Sequence, residues 1–238
     1  MSFWQRLRNF FSRKPTQQDP PNVSPPDAPR PSQGTQEPEV NYQRVTDLPI
    51  SRGRKMKPQS ITVHYTAGWQ NQRPRDAIAF MQRQGHGYLF MDEQGGVWQN
   101  IMLDESYAHA GVSTMPDFSQ LKGRTNVSAF SIGIEVAAGG RVNNVNQTWF
   151  KKTVPTSQIR TANRDIHGIN GRFERFTQAQ EDSLFKLCLD LCKRFNIHPS
   201  NVVGHHEISP GRKDDPGGAL SMGMHRFRAM LADELNRK

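Results

Sequence analysis

The sequence predicts an α/β fold, a single domain with a central mixed β-sheet flanked by helices. A short amphipathic helix and a Pro-rich linker are expected to precede it. Between residues 59 and 235, short β-branched runs alternate with longer helical patterns, which is typical of layered α/β domains. The 238 residues suffice for one sizeable domain with an appended segment.

The N-terminal 40 residues differ in character from the rest of the chain. Phe3, Leu7 and Phe10 recur at helical spacing among Arg and Lys residues, so residues 1–14 are predicted to form a basic amphipathic helix. Such a helix suits a membrane surface or a groove on a carrier protein, and docking on its own domain is an equal alternative. Residues 15–40 are rich in Pro, Gln and Ser and nearly devoid of large apolar side chains, which predicts a flexible linker. The folded domain is expected over residues 41–238.

The elements of the domain follow from periodicity and from breaking residues. A β-branched, alternating run over 59–68 predicts a strand with His64 near its C-terminal end. The capping-box pair Thr177 and Gln180 opens the clearest helix. Residues 139–172 show little periodicity and are predicted to be a surface excursion that shapes a groove. The remaining predictions are helices over 75–84 and 224–235, a hairpin from 88–91 and 97–101, and strands over 130–136 and 201–203.

The net charge of +9 and the sequence pI of about 9.9 favour a polyanionic partner such as nucleic acid, anionic lipid or an anionic cell-wall polymer. Nucleic acid is not expected, because clustered basic and aromatic repeats are missing from the sequence. No apolar run approaches the roughly 20 residues of a bilayer span, and residues 1–14 do not resemble a signal peptide. Synthesis in the cytoplasm and a monomeric state are expected.

The two cysteines, Cys188 and Cys192, lie four residues apart in a helical pattern. Neighbours on one helix face are poorly placed for a disulfide, and no second Cys/His pair has zinc-finger spacing. Both are therefore predicted to be reduced core residues.

The stretch from Val202 to Gly218 concentrates two histidines, a lysine and two aspartates in a segment rich in Gly and Pro. Its breaking residues predict a loop without regular structure after the strand. Loops at strand ends commonly carry function. Asp215 precedes a proline and is expected to be extended.

These side chains suit a catalytic zinc site, which needs three protein ligands and one open position. His64, one histidine of the pair His205 and His206, and one carboxylate of the pair Asp214 and Asp215 provide that set. Adjacent residues on an extended chain point in opposite directions, so one member of each pair is expected to reach the metal. The residues alone do not choose between them. Zinc lowers the pKa of bound water to about 7.

Three motifs carry a family resemblance. They are the segments 64–67, 131–135 and 204–217, in this order. Together they resemble the zinc-dependent N-acetylmuramoyl-L-alanine amidases of type 2, a family that includes phage endolysins, muropeptide amidases of cell-wall recycling and peptidoglycan recognition proteins. The resemblance runs from about Pro58 to the C-terminus, apart from the 139–172 excursion.

The resemblance implies roles for individual residues. His64, His205 and Asp215 match the three zinc ligands. Lys213 matches the lysine that stabilises the developing oxyanion, a role for which a cation is well suited. Glu135 matches the acidic residue that assists the attacking water, and a buried Glu with a raised pKa suits proton transfer.

The resemblance also implies substrate-binding positions at His109 and Tyr65. The sequence departs from the family pattern in two places. Gly87 stands where some phage members carry a catalytic tyrosine, and Tyr88 beside it is expected to point the other way. Ala108 replaces the aromatic residue that usually precedes the groove histidine.

The function implied is hydrolysis of the amide between N-acetylmuramic acid and the L-alanine of the stem peptide. Peptidoglycan or muropeptides are the expected partners, with a membrane surface or carrier protein at residues 1–14. Without a signal peptide, action is expected on the wall after lysis or non-classical export, or on cytosolic muropeptides. The alternative is a non-catalytic peptidoglycan-binding module, which a complete ligand set disfavours.

Overall fold

The computed structural model describes residues 40–68 and 72–237. The predicted helix over 1–14 and the predicted linker over 15–40, apart from Val40, lie outside these ranges. Strands in the described part are β1 Tyr42–Gln43, β2 Arg54–Lys55, β3 Ser60–Tyr65, β4 Leu89–Met91, β5 Val97–Gln99, β6 Glu105–Ser106, β7 Ser131–Val136, β8 Ile159–Ala162, β9 Gly171–Glu174 and β10 Val202–Gly204. Its α-helices are α1 Pro74–Arg83, α2 Arg164–His167, α3 Gln178–Phe195, α4 His205–Ile208 and α5 Gly223–Leu235.

Six strands form the central sheet in the order β1-β5-β4-β7-β3-β10. β3 pairs in parallel with both β7 and β10, whereas β4 pairs in parallel with β7 and antiparallel with β5. The predicted mixed sheet is therefore confirmed. Every residue of β3 and β7 is buried, as expected for parallel strands covered on both faces. The C-terminal ends of β3, β7 and β10 meet at one edge, where open α/β sheets commonly hold their sites.

The helices cover the sheet through apolar stripes. α1 packs on β4 through Ala77, Ile78 and Met81. The Thr177 hydroxyl accepts a hydrogen bond from the Gln180 N–H at the start of α3, and the Gln180 side chain accepts one from the Thr177 N–H. This capping box contributes about 1 kcal/mol. Along the described chain, no helix has the length and apolar character of a bilayer span.

Cys188 and Cys192 are buried on α3 as free thiols, which confirms their prediction as reduced core residues. Burial raises the pKa of both thiols. They are therefore protonated and unreactive at neutral pH.

The structure corrects two predictions of irregular backbone. The excursion over 139–172 contains β8, α2 and the start of β9, and β8 and β9 pair antiparallel. Each of these strands has only four residues, too few for alternation to stand out in the sequence. The stretch after β10 opens with one helical turn, α4, because its first breaking residue is Pro210.

The buried face of α5 is narrower than the helical spacing of its apolar residues indicates. Phe227 and Leu231 are buried, whereas Met230 and Leu235 are only half-buried. Arg228 is buried on the same helix. A hydrophobic pattern could not identify it, because its burial depends on a partner that is distant in sequence.

That partner is Glu207 on α4. The Arg228 guanidinium donates to both Glu207 carboxylate oxygens, at 2.8 and 2.9 Å, and to the Val202 carbonyl at 3.2 Å. The same carboxylate accepts from the Gly204 N–H at 2.8 Å. The pair therefore fixes the junction between β10 and α4, from which His205 projects.

We predict that Arg228→Ala lowers the free energy of unfolding by about 3 kcal/mol, because it leaves the largely buried Glu207 carboxylate without its partner. Urea denaturation of the purified protein measures the change. Arg237→Ala is the matched control, since Arg237 pairs with Glu234 while 56% exposed, and such pairs contribute about 0–1 kcal/mol. Equal losses in the two variants would contradict the assigned role of Arg228.

Candidate metal centre

Two neighbouring strands and one returning loop bring three polar side chains together. His64 is the penultimate residue of β3, and His205 directly follows β10. Val63 and Gly204 are register partners in the parallel pairing of these strands, so the two histidines emerge side by side. Asp215 approaches from the loop that follows α4. Its carbonyl accepts from the backbone N–H and from the ring Nδ1 of His206, at 2.8 and 3.1 Å.

The three side chains form a nearly equilateral triangle. His64 Nδ1 lies 2.9 Å from His205 Nδ1 and 2.9 Å from Asp215 Oδ2, and His205 Nδ1 lies 3.0 Å from the same oxygen. All three residues are buried. The structure thus brings together His64, His205 and Asp215, and turns His206 and Asp214 away from this triad.

Hydrogen bonds on the far side of each ring define the histidine tautomers. His205 donates from Nε2 to the Ala110 carbonyl at 3.0 Å. His109 donates from Nε2 to the Ser131 carbonyl at 3.1 Å, so its Nδ1 accepts from His64 Nε2–H at 3.2 Å. Burial holds the pKa of His109 well below its usual value and lowers that of His64 to about 4. Both rings are therefore neutral at pH 7.

The triad consequently presents three metal-ligating atoms to one another. The Nδ1 atoms of His64 and His205 both face inward, because each ring donates from Nε2 on its far side. They point at a carboxylate oxygen, which has no proton to offer at neutral pH. Buried polar atoms need partners, and a cation at the centre satisfies all three at once. The chemistry of this donor set therefore fits a metal ion.

Glu135 lies beside the triad on the adjacent strand. It is the register partner of His64 in the pairing of β3 with β7, so the two side chains leave the same face of the sheet. Glu135 is buried, and its Oε2 has no hydrogen-bond partner among the described residues. Burial, followed by the negative charge of Asp215, raises the pKa of Glu135 well above its ordinary value. A carboxyl group with a raised pKa is suited to general acid–base catalysis.

A cavity of about 1470 Å³ opens over the triad. Lys213 lines it with an exposed side chain, and its positive charge acts to lower the pKa of both Glu135 and His64. Its ammonium group therefore lies within electrostatic reach of the triad. Arg141, Phe150 and Arg164 from the 139–172 excursion also line this cavity, in agreement with the predicted groove.

Tyr65 lines the cavity with its ring, while its hydroxyl is bound within the protein. The hydroxyl donates to Asp214 Oδ1, and Asp214 Oδ2 accepts from Arg141 Nε at 2.6 Å. Burial raises the pKa of Tyr65, so the phenol stays protonated. Sequence reasoning considered Asp214 only as a metal ligand and missed Arg141, because nothing in the sequence indicates that the excursion reaches this loop.

The orientation expected for Tyr88 is wrong. Its ring lines the cavity and stands edge-on to His64 and His109, with centroid distances of 5.3 and 5.8 Å. Its hydroxyl donates to the His109 carbonyl at 3.3 Å. Because β4 begins only at Leu89, strand alternation does not govern Tyr88. Gly87 leaves space that the Tyr107 ring occupies.

Sequence comparison identifies related proteins. The chain is 33% identical to the N-acetylmuramoyl-L-alanine amidase AmiD of Escherichia coli K12 over 121 residues, which is 51% of the chain and 33% of AmiD. It is 29% identical to the 1,6-anhydro-N-acetylmuramyl-L-alanine amidase AmpD of Enterobacter cloacae over 160 residues, or 66% and 64% of the two chains. The chain thus spans less than two thirds of either relative.

Solved structures share the fold. A complex of Escherichia coli AmiD superposes with a TM-score of 0.53 at 24% identity and covers 76% of this chain and 60% of that one. The endolysin amidase LysCS of Clostridium intestinale gives a TM-score of 0.51 at 16% identity, with coverages of 84% and 98%. The family model for N-acetylmuramoyl-L-alanine amidases matches residues 54–218. This match extends over more than half of the chain, and the protein therefore belongs to the N-acetylmuramoyl-L-alanine amidase family.

Proposed function

We propose that the chain is a zinc-dependent hydrolase of the amide that joins N-acetylmuramic acid to the L-alanine of the stem peptide. The observation that carries the proposal is the buried triad of two imidazoles and a carboxylate beside an unpartnered, buried carboxyl group, all lining a large cavity. Family membership supports the same chemistry, and the two relatives compared above are muramoyl-alanine amidases.

The donor set fits zinc in kind and in spacing. Tetrahedral zinc holds imidazole nitrogens and carboxylate oxygens at about 2.0–2.2 Å, which separates neighbouring ligand atoms by about 3.3 Å. The triad sides of 2.9–3.0 Å are close to that spacing. His64, His205 and Asp215 would hold it, and a fourth position would remain for water or substrate. Bound zinc supplies Lewis-acid activation of water and of a carbonyl group.

The surrounding residues provide the remaining steps. Glu135, with its raised pKa and unpartnered Oε2, accepts a proton from the attacking water and returns it to the departing amine. The Lys213 ammonium stabilises the negative charge that develops on the carbonyl oxygen. Tyr65 contributes ring surface to the cavity wall, since its hydroxyl is committed to Asp214.

The cavity size supports a glycopeptide as the substrate. Its 1470 Å³ exceed the roughly 300–1,000 Å³ of typical small-molecule pockets. A sugar and the first residues of a stem peptide could therefore bind together. The AmiD structure is a complex with the substrate anhydro-N-acetylmuramic acid-L-Ala-D-γ-Glu-L-Lys, and we extend that substrate class to this chain.

Digestion of purified peptidoglycan or muropeptides, followed by mass spectrometry, tests the assignment. We expect free stem peptides from the zinc-loaded protein, and a loss of at least about 10³-fold after zinc removal or in Asp215→Ala, because either change dismantles the metal site. His225→Ala, at an exposed position on α5, is the control. Tight binding without product at saturating zinc would instead identify a binding module.

We expect Glu135→Gln to lower kcat by about 10²–10⁴-fold through loss of proton transfer, while it stabilises the metal-free protein at neutral pH. Burial raises the pKa of the folded-state carboxyl, so the contribution of Glu135 to stability is fully present below its ordinary value of 4.5 and is lost as pH rises through the folded pKa. The melting temperature of the variant should thus match the wild type at pH 4 and exceed it by a few degrees at pH 7.5. A gain that is independent of pH would argue against a raised pKa of Glu135 in the folded protein.

We further propose that residues 41–238 form the zinc amidase catalytic domain and that residues 1–14 deliver it to a membrane surface or a carrier protein. The alternation of apolar and basic residues in the N-terminal sequence supports this division.

Deletion of residues 1–14 should leave hydrolysis of soluble muropeptides within about twofold and reduce sedimentation with anionic vesicles. Replacing Phe3 and Leu7 by Ala, which keeps the charge, separates the apolar contribution from the electrostatic one. Unchanged vesicle and partner association of the deletion would contradict the delivery role.

A further inference from the structure

Two consecutive residues each contact one histidine of the triad: His109 contacts His64, and Ala110 contacts His205. The Ala110 carbonyl accepts from His205 Nε2–H at 3.0 Å. The His109 ring accepts at Nδ1 from His64 Nε2–H at 3.2 Å. One short segment therefore places the ring protons of both histidines on the side away from the triad.

This 109–110 segment is held from several directions. The Ser128 hydroxyl oxygen accepts from the backbone N–H of His109 at 3.2 Å and of Ala110 at 2.9 Å. Tyr88 donates to the His109 carbonyl. The His109 ring is anchored through Nε2–H to the Ser131 carbonyl on β7. His109 is only 6% exposed, so its ring orientation is set by the protein.

The hydrogen-bonding capacity of the His109 ring is fully used. A neutral imidazole has one donor and one acceptor, and here the donor binds Ser131 while the acceptor binds His64. Although His109 lines the cavity, it has no polar atom left for a substrate. Its contacts therefore serve the triad.

We propose that His109 is a positioning residue that sets the tautomer and ring orientation of His64. This inference rests on the proposed function and deepens its account of the site. Without an acceptor at the position of His109 Nδ1, the His64 Nε2–H is buried and unpaired, at a cost of about 1–3 kcal/mol. The other tautomer then becomes favourable, because a proton on His64 Nδ1 donates to Asp215. That proton occupies the direction in which a metal ion must bind.

The test is the affinity for Zn²⁺, measured by competition with a chromophoric chelator on the full chain. His109→Leu removes the acceptor and is expected to weaken binding by about 10–100-fold, the usual effect of losing a residue that orients a ligand. His109→Asn places an amide oxygen near the Nδ1 position and should stay within a few-fold of wild type. His86→Leu, at an exposed histidine on the same cavity, should leave the affinity unchanged.

A spectroscopic signature accompanies the affinity. The ¹⁵N resonances of His64 in the metal-free protein should report the Nε2–H tautomer in wild type and His109→Asn, and a shift towards Nδ1–H in His109→Leu. A packing defect alone would not reverse the tautomer.

Zinc affinity of His109→Leu equal to wild type, with only KM for muropeptides raised, would overturn the proposal and assign His109 to substrate contact. If His109→Leu fails to fold, as judged by circular dichroism, Ser128→Ala is the replacement test. It removes the hydroxyl that binds the 109–110 segment and should weaken zinc binding several-fold. Unchanged affinity of this variant would count against the proposal. Because the readout is metal binding, a wild-type protein that binds zinc but releases no stem peptide would refute the proposed function without affecting this test.

Discussion

The parallel pairing of β3 with both β7 and β10 is the constraint on which the site depends. It places His64, Glu135 and the start of the His205 turn at one edge of the sheet, in register and on strands buried along their length. Backbone hydrogen bonds between the strands fix these residues relative to one another. The loop carrying Lys213 and Asp215 packs against this edge of the sheet through the contacts of Asp215 with His64 and His205.

Much of this arrangement could be predicted from the sequence, because the relevant signals are local. The run around His64 alternates as a strand does, Thr177 and Gln180 form a capping box, and Gly85 ends α1 with a positive φ. The two alternatives left open, His205 or His206 and Asp214 or Asp215, are distinguished by contacts between distant residues. The carbonyl of Asp215 binds His206, and the Asp214 carboxylate binds Tyr65 and Arg141.

What could not be predicted shares a physical cause. Arg228 is buried because it forms an ion pair with Glu207. Tyr88 faces the cavity because β4 starts one residue later, at Leu89. The 139–172 excursion contains regular structure because β8 and β9, of four residues each, pair with one another. The tautomer of His64 likewise depends on His109, 45 residues away. Each feature arises from a partner that no periodicity or composition identifies.

The ion pair of Asp214 with Arg141 also has an electrostatic consequence for a metal ion that would bind at the triad. With that carboxylate paired with Arg141, the triad offers two imidazoles and a single carboxylate. A divalent ion bound there would retain one net positive charge, and the nearby Lys213 would add to the local positive potential. Such a centre would attract electron-rich oxygen atoms more strongly than one with two carboxylates, and it would disfavour the approach of further cations.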